Sequence, residues 1–299
     1  MRNLKHHLLL ILAFFAFAQI GMCALKEGGG SYSYKDKETG NRMDVWYYKP
    51  VGFTPDTPVV IVMHGMNRNG EAYRDSWALH AKTYNFMLLV PEFSKTNFPT
   101  SNEYNLGNCY TSGRLNSKSQ WSFTILERIF SDFTQTRERT NIQKYYLYGH
   151  SAGAQFVHRM VLFLPEARIK MAISANAGFY TMPHFSAKWP YGLKGTGMNK
   201  ETISRYLTFP MIILLGGSDN NPDHPQLNRS EEANEQGIHR LERGINFFNF
   251  GKTTAEKLNV KFGWKNQIVP RVGHDDRKMS AEASRIFHND IKKEIPLEE

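Results

Sequence analysis

A serine lies in a five-residue pattern that is typical of nucleophilic catalysis. Residues 149–153 read GHSAG and match G-x-S-x-G, in which glycines relieve the crowding around a serine on a tight turn between a strand and a helix. Residues 144–148 have the pattern of a buried strand, and 154–164 have the pattern of a helix. The spacing therefore predicts Ser151 as a nucleophile, with a serine that only caps a helix as the structural alternative.

A nucleophilic serine needs a base and an acid that orients the base. His274 lies in the loop VGHDD after the last predicted strand, and Asp219 closes the apolar run LLGGSD. The chain order Ser, Asp, His is one of the known orders of a catalytic triad. Asp223 is an alternative acid, but Asp219 is nearer to the strand end. His184 and His224 are alternative bases because both follow strand ends.

Acyl transfer also needs donors for the oxyanion of the tetrahedral intermediate. The backbone amide after the nucleophile belongs to Ala152, and the amide of Met66 follows an early apolar run in the sequence HGMN. We expect these two amides to form the oxyanion hole. His64 is expected to shape this loop by hydrogen bonding.

The elements that must position these residues follow from hydrophobic periodicity. Residues 31–34 and 43–48 alternate around a turn and predict an antiparallel hairpin at a sheet edge. Continuous apolar runs predict strands buried on both faces at 59–64, 86–93, 144–151, 170–178, 210–219 and 260–269. Helix-period patterns occupy 71–84, 121–137, 154–164, 238–258 and 279–293. This alternation predicts an α/β fold with a mostly parallel central sheet and helices on both faces.

The N-terminus has the pattern of a secretory signal. Arg2 and Lys5 precede the apolar run 8–17, which is short for a membrane span and is followed by small residues. We therefore expect a signal peptide over 1–24, cleaved between 18 and 24, and a secreted or periplasmic protein. Lipid attachment at Cys23 is the alternative; the bulky residue before this cysteine disfavours it.

The remainder, 25–299, is expected to form one catalytic domain, because no Pro/Gly-rich linker or repeat divides it. The formal net charge of +9 attracts polyanions, but no dense basic run or RNA-type aromatic motif predicts nucleic-acid binding. Neither HExxH nor a phosphate-binding or dinucleotide fingerprint is present, so no metal or cofactor is expected. The composition does not define an oligomeric state.

Substrate contacts are predicted from side chains near strand ends. Residues 179–209 form a long connection after the sixth strand that is rich in aromatic residues, and they are interpreted as a possible small lid. Glu92, Phe93, Tyr180 and Trp189 are the candidate substrate-binding residues, with core packing as the alternative for the aromatic ones.

Five segments together resemble one branch of a known superfamily. In chain order they read HGMNRNGEAYRDSW, LYGHSAGAQFVHRM, LLGGSDNNPDHP, HRLERGINFF and VPRVGHDDRKM. They resemble the secreted polyhydroxyalkanoate-depolymerase-like and feruloyl-esterase-like α/β hydrolases. The resemblance implies Ser151, Asp219 and His274 as the triad, and Met66 and Ala152 as the oxyanion positions.

The sequence departs from that pattern in having only two cysteines and no separate polymer-binding domain or Ser/Thr-rich linker. The expected function is ester hydrolysis through an acyl-enzyme, on a small-molecule or polymeric ester. A peptidase or amidase with the same triad is one alternative, and a non-catalytic binding protein that keeps the fold is another.

Overall fold

The structure is a computed structural model and describes residues 24–293. The predicted signal peptide lies outside these residues except for Ala24, and so does Cys23. Export, the cleavage site and the extent of the catalytic domain therefore stay predictions. Within residues 24–293, no helix is long and apolar enough to cross a membrane.

Each predicted strand overlaps an observed one, although the last covers only the second half of the run 260–269, and two short strands are added. In the described part of the chain they are β1 (Gly28–Lys35), β2 (Arg42–Lys49), β3 (Val59–Met63), β4 (Met87–Pro91), β5 (Tyr110–Thr111), β6 (Arg114–Leu115), β7 (Tyr145–His150), β8 (Ile169–Ala175), β9 (Met211–Gly216) and β10 (Lys265–Val269). Strands β5 and β6 form a separate ribbon, and the others form one sheet in the order β1-β2-β4-β3-β7-β8-β9-β10.

Pairing in the main sheet is parallel from β4 through β10. Strands β1 and β2 form the antiparallel hairpin predicted at the edge, and β2 pairs antiparallel with β4. Because parallel strands end at the same edge, the loops after β3, β7, β9 and β10 are brought to one side of the sheet. These four loops carry the predicted site.

The described helices are α1 (Gly70–Tyr84), α2 (Ser122–Ser131), α3 (Ala152–Phe163), α4 (Lys200–Thr208), α5 (Glu231–Asn234), α6 (Arg240–Leu258) and α7 (Asp276–Lys292). A 3₁₀ turn, Lys118–Gln120, precedes α2, and a π-helical turn, Asp132–Arg137, follows it. The predicted helix over 121–137 is therefore an α-helix only in its first part.

The sheet is covered by helices on both faces. Successive side chains of a strand point to opposite faces. In β3, Ile61 and Met63 belong to the apolar cluster shared with α2, α3 and α6, whereas Val60 and Val62 pack with α1 and α7. All four side chains are fully buried. The predicted α/β-hydrolase architecture is confirmed, and burial on both faces explains the continuous apolar runs of the inner strands. For 260–269 the predicted burial is wrong, because β10 lies at the edge of the sheet and is partly exposed.

Residues 179–209, the predicted lid segment, contain α4 and pack along α3 and α6. Tyr180 stacks on Phe247 of α6, with 4.2 Å between ring centroids. Trp189 packs edge-on against Phe163, with centroids 4.8 Å apart. Phe163 is the last residue of α3, so this contact lies roughly 17 Å along the helix from its first residue.

Candidate active site

Ser151 occupies the sharp turn between β7 and α3. Its φ is 58°, in the left-handed region that residues with a side chain rarely adopt. The Ser151 N–H donates to the carbonyl of Ala175 at the end of β8, at 2.9 Å, and this bond anchors the turn to the sheet. A strained residue held in this way keeps its hydroxyl at the carboxyl edge of the strands.

The two glycines of the motif are required by close backbone approach. A Cβ on Gly149 would lie 2.2 Å from the carbonyl oxygen of Gly153, and a Cβ on Gly153 would lie 2.0 Å from that of Met63. Both distances are far below a van der Waals contact. The absence of side chains therefore lets the start of α3 press against the end of β3, which brings the loop after β3 beside Ser151.

The loops after β9 and β10 carry the acid and the base, and backbone bonds tie them together. Ser218 N–H donates to Val272 O at 2.8 Å. Asn176, at the end of β8, accepts from Gly216 N–H at 2.7 Å and donates to Gly273 O at 3.3 Å. This small network positions both loops against the end of β8.

The structure brings Ser151, Asp219 and His274 together. His274 Nε2 lies 3.0 Å from Ser151 Oγ, and His274 Nδ1 lies 2.8 Å from Asp219 Oδ2. A carboxylate can only accept, so Nδ1–H donates to Asp219 and Nε2 is left to accept the serine proton. The side chains of Asp219 and His274 are 3% and 9% exposed, which strengthens their electrostatic interaction.

The alternative site residues lie elsewhere or play other parts. The side chain of Asp223 is 87% exposed and is 3.6 Å from Arg229. His184 bonds Ser186 and packs against Phe250, on the side of α6. His224 does approach the site, since its ring lies edge-on to His274 with 5.4 Å between centroids, but it does not replace His274 beside Ser151.

A second histidine ring packs on the base. His150, the variable residue of the motif, lies with its ring centroid 4.6 Å from that of His274 and its Nδ1 3.2 Å from the Tyr73 hydroxyl. Burial holds the pKa of His150 well below its ordinary value, and His274 and Arg240 add to this effect. A neutral His150 can therefore pack against the base without adding a competing charge.

The predicted oxyanion donors flank the nucleophile. Ala152 is the first residue of α3, and its N–H has no acceptor within the helix. Met66 follows Gly65, whose added Cβ would lie 3.8 Å from Ser151 Cβ, so this loop is directly beside the serine. The arrangement fits two amides that converge on the carbonyl oxygen of an acyl group bound at Ser151.

His64 shapes the loop that carries the Met66 amide. Its Nε2 accepts from Phe93 N–H at 3.0 Å, and its Nδ1 lies 3.0 Å from Gly65 O. The Tyr104 hydroxyl donates to His64 O at 2.6 Å. Burial lowers the pKa of His64 to about 3, so the ring stays neutral and holds the loop by hydrogen bonds and by stacking on Tyr104.

A cleft of about 210 Å³ opens at the triad. Its walls are mainly polar and include side chains that the sequence patterns did not single out, namely Asn67, Asn69, Tyr73, Gln226 and Asp276. They lie in the loops after β3 and β9 or at the start of a helix, so their position after predicted strands was the available signal. Within residues 24–293, no His, Cys, Asp and Glu side chains are grouped to hold a metal ion.

The four predicted substrate-binding residues do not line this cleft. Glu92 accepts from Gly70 N–H at 3.0 Å and from Trp46 Nε1 at 2.9 Å, so it caps α1. Phe93 and Tyr180 are fully buried. Trp189 borders a separate cavity of about 570 Å³, more than ten residues along α3 from the serine.

Two solved structures are similar to this chain over most of its length. Poly(aspartic acid) hydrolase-1 from Sphingomonas sp. KT-1 is 40% identical, with 88% of this chain and 99% of that chain covered and a TM-score of 0.85. LpqC, a poly(3-hydroxybutyrate) depolymerase from Bordetella parapertussis, is 34% identical, with 89% and 90% covered and a TM-score of 0.84. The chain belongs to this depolymerase-like family of α/β hydrolases.

More distant structures resemble this hydrolase in fold only. An S-formylglutathione hydrolase from Agrobacterium tumefaciens is 16% identical, with 89% of this chain and 96% of that chain covered and a TM-score of 0.58. No family model and no curated protein matches the chain. The family resemblance expected from the sequence motifs is confirmed by the two nearer structures.

Proposed function

We propose that this protein is an exported serine hydrolase that cleaves carboxylic ester bonds through an acyl-enzyme intermediate. One observation carries the proposal: the hydroxyl of Ser151, both ring nitrogens of His274 and the carboxylate of Asp219 are joined by two hydrogen bonds, of 3.0 Å and 2.8 Å. Serine, imidazole and carboxylate in this order form an activated nucleophile.

In the first half-reaction, Ser151 Oγ attacks the carbonyl carbon of the ester while His274 Nε2 takes the hydroxyl proton. The carbonyl oxygen becomes an oxyanion and accepts from the amides of Met66 and Ala152. The bond from carbon to the alkoxy oxygen then breaks, and His274 returns its proton to that oxygen. The alcohol leaves, and the acyl group stays on Ser151.

In the second half-reaction, water takes the place of the alcohol. His274 Nε2 removes a proton from the water as its oxygen attacks the acyl carbon, and the same two amides hold the second oxyanion. Collapse breaks the bond to Ser151 Oγ, which regains its proton from His274. The acid leaves and the enzyme is restored without any other reactant.

Replacement of the nucleophile tests this proposal directly. In Ser151→Ala, turnover of p-nitrophenyl esters should fall by about 10⁴- to 10⁶-fold, because no acyl-enzyme can form. A fluorophosphonate should label the wild-type protein at Ser151 and leave the variant unlabelled. Ser204→Ala is the matched control on α4, where this hydroxyl donates to Lys200 O, far from the triad in sequence. If the Ser151→Ala protein keeps its ester turnover, Ser151 is not the nucleophile.

A second candidate function is the cleavage of amide bonds in an acidic polymer. It is favoured by the 40% identical structure, whose name states poly(aspartic acid), a polyamide, as its substrate. The net charge also favours attraction of a polyanion, since it is +9 for the full sequence and +7 (9 − 2) once Arg2 and Lys5 leave with the signal peptide. The same triad serves both bonds, because the choice depends on the pocket and on protonation of the leaving group.

A substrate panel separates the two candidates. The purified enzyme is given hydroxybutyrate oligomers, acetyl and feruloyl esters, and soluble poly(aspartic acid), and the released acid or amine groups are counted. The ester proposal expects the highest kcat/KM on an ester. If poly(aspartic acid) is cleaved and every ester is turned over far more slowly, the amide candidate replaces it.

Export is supported by the basic and apolar start of the sequence, residues 1–24. When the full chain is expressed in a bacterial host, N-terminal sequencing of the exported protein should find a start between residues 19 and 25. An intracellular protein that keeps Met1 would overturn this part of the proposal.

A further inference from the structure

A buried arginine lies behind the proposed triad. Arg240 is the first residue of α6, and its side chain is 1% exposed. Its Nη1 donates to Asp219 Oδ1 at 3.3 Å, while the other carboxylate oxygen accepts from His274 at 2.8 Å. The acid is therefore held between an imidazole on one side and a guanidinium on the other.

The second arm of the guanidinium reaches another ring of the site. Arg240 Nη2 lies 3.3 Å from His224 Nδ1. Since a guanidinium only donates, this nitrogen must accept, and His224 is neutral. Burial lowers the pKa of His224, and the charge of Arg240 lowers it further. The ring that Arg240 holds is the one that packs edge-on against His274.

The backbone strengthens the same connection. Leu241 N–H, in the first turn of α6, donates to the main-chain oxygen of Asp219 at 3.1 Å. Main chain and side chain of the acid are thus both bound by the start of one helix. A planar fork with two donors on one rigid group can fix two partners at once, which a single ammonium cannot do.

We propose that Arg240 is a positioning residue of the triad, which aims Asp219 at His274 with one arm, holds His224 with the other, and offsets part of the charge of the carboxylate. This inference rests on the proposed serine-hydrolase function. Arg240 does not touch the substrate; it acts through Asp219. Its loss should therefore change both the geometry and the protonation of the base.

The direction of the protonation effect follows from the charges around His274. The titratable groups that contact His274 or share its cleft are Asp219, His224, His150, Tyr73 and Asp276; Asp275 follows it in the chain, and Arg240 lies behind Asp219. Arg240 is the cation in this set. Without it, the full carboxylate charge stabilises protonated His274, so a higher pH is needed to free the base. The acidic limb of the kcat/KM profile then moves upward.

Two substitutions separate the charge from the geometry. Arg240→Gln removes the charge, and we expect the acidic limb to move up by about half to one pH unit. Arg240→Lys keeps the charge but loses the fork, and we expect an unmoved limb with kcat about 10-fold lower. Rates are divided by the concentration of sites that a fluorophosphonate titrates, so unfolded molecules do not count.

Arg243→Gln is the matched control. Arg243 lies one turn further along α6 and is also fully buried, but it donates to Gly237 O, Gly178 O and Asn234 Oδ1 and not to a carboxylate. Its replacement should lower the unfolding free energy and leave the acidic limb in place. A limb that moves equally in both glutamine variants would show a general effect of lost buried charge and overturn the inference.

The inference also fails if Arg240→Lys keeps the wild-type kcat per titrated site, or if Arg240→Gln leaves the limb unmoved. If Arg240→Gln does not fold, the lysine variant alone decides the positioning role. Failure of the proposed function is distinguishable, because it requires Ser151→Ala to remain active. If Ser151→Ala is inactive but the Arg240 variants keep the wild-type kcat and acidic limb, the triad proposal stands and Arg240 has no positioning role in it.

Discussion

Asp276 should make the fold less stable as the pH rises towards neutrality. Its carboxyl is partly buried at the start of α7, in the wall of the cleft, where the Tyr148 and Ser76 hydroxyls donate to it at 3.1 Å and 2.8 Å. Burial raises its pKa from 3.8 to about 7, with Asp275 as a smaller cause in the same direction, and the two hydrogen bonds oppose the rise.

The sign follows from proton binding in the two states. Below about pH 4 the carboxyl of Asp276 is protonated in the folded and the unfolded chain, and it adds no pH dependence. Between pH 4 and 7 the unfolded chain loses this proton while the folded chain keeps it. The free energy of unfolding therefore falls as the pH rises through this window and is level above it.

The magnitude is set by the size of the pKa shift. About three pH units at about 1.4 kcal/mol each give at most about 4 kcal/mol. The positive end of the α7 dipole favours the ionised form and lowers this by about 1 kcal/mol. We therefore expect about 2 to 4 kcal/mol between pH 4 and pH 7.5.

Asp276→Asn removes the titration while it keeps a polar side chain of the same shape. Urea unfolding of wild type and variant at several pH values gives the difference in unfolding free energy, in which the other titrating groups cancel. Between pH 4 and pH 7.5, the unfolding free energy of the variant should rise relative to that of wild type by about 2 to 4 kcal/mol. Asp275→Asn, an exposed neighbour on the same turn, is the control and should show a much smaller gain. A difference for Asp276→Asn that does not vary with pH would refute the reasoning.

Three further experiments test the site and its frame. Gly153→Ala should lower kcat/KM by about 100-fold and unfolding free energy by about 1 to 3 kcal/mol, because its Cβ would meet Met63 O; a variant with wild-type kinetics would contradict this. Asp219→Asn should reduce kcat by about 10⁴-fold, whereas Asp223→Asn should change it less than about twofold; equal effects would contradict the assignment. Glu92→Ala should lower the unfolding free energy, measured by urea titration, by about 1 to 3 kcal/mol and leave KM unchanged, since this carboxylate caps α1. A raised KM with an unchanged unfolding free energy would instead indicate a substrate contact.

The sheet and its helices could be predicted from the sequence because their signals are local. The run VVIVM is apolar at every position, and its strand is buried on both faces. The glycines at 149 and 153 indicate a crowded turn before any partner is known, and the structure shows backbone within 2.2 Å of where their side chains would be. The segment 260–269 was less well predicted: only Lys265–Val269 is a strand, because Gly263 and Trp264 instead pack against the end of α4.

The fate of individual aromatic and acidic side chains could not be predicted in this way. Phe93 and Tyr180 follow strand ends, as residues of a binding site do, but they are fully buried. Glu92 bonds a helix start and an indole from other parts of the chain. Position after a strand predicts the edge at which a side chain lies, and the neighbours that arrive from elsewhere decide whether it meets a substrate or the core.

The class of fold, the order of the elements and the residue types available for catalysis could all be predicted from the sequence, since they depend on neighbours a few positions apart. The sequence favours Asp219 over Asp223, but only the tertiary structure shows that Asp219 lies beside the base, with Asp219 and His274 separated by 55 residues and Ser151 and His274 by 123. The tertiary structure also alone placed Arg240 behind that acid. Such contacts depend on how whole elements pack, and a local sequence pattern does not contain the distance between two loops.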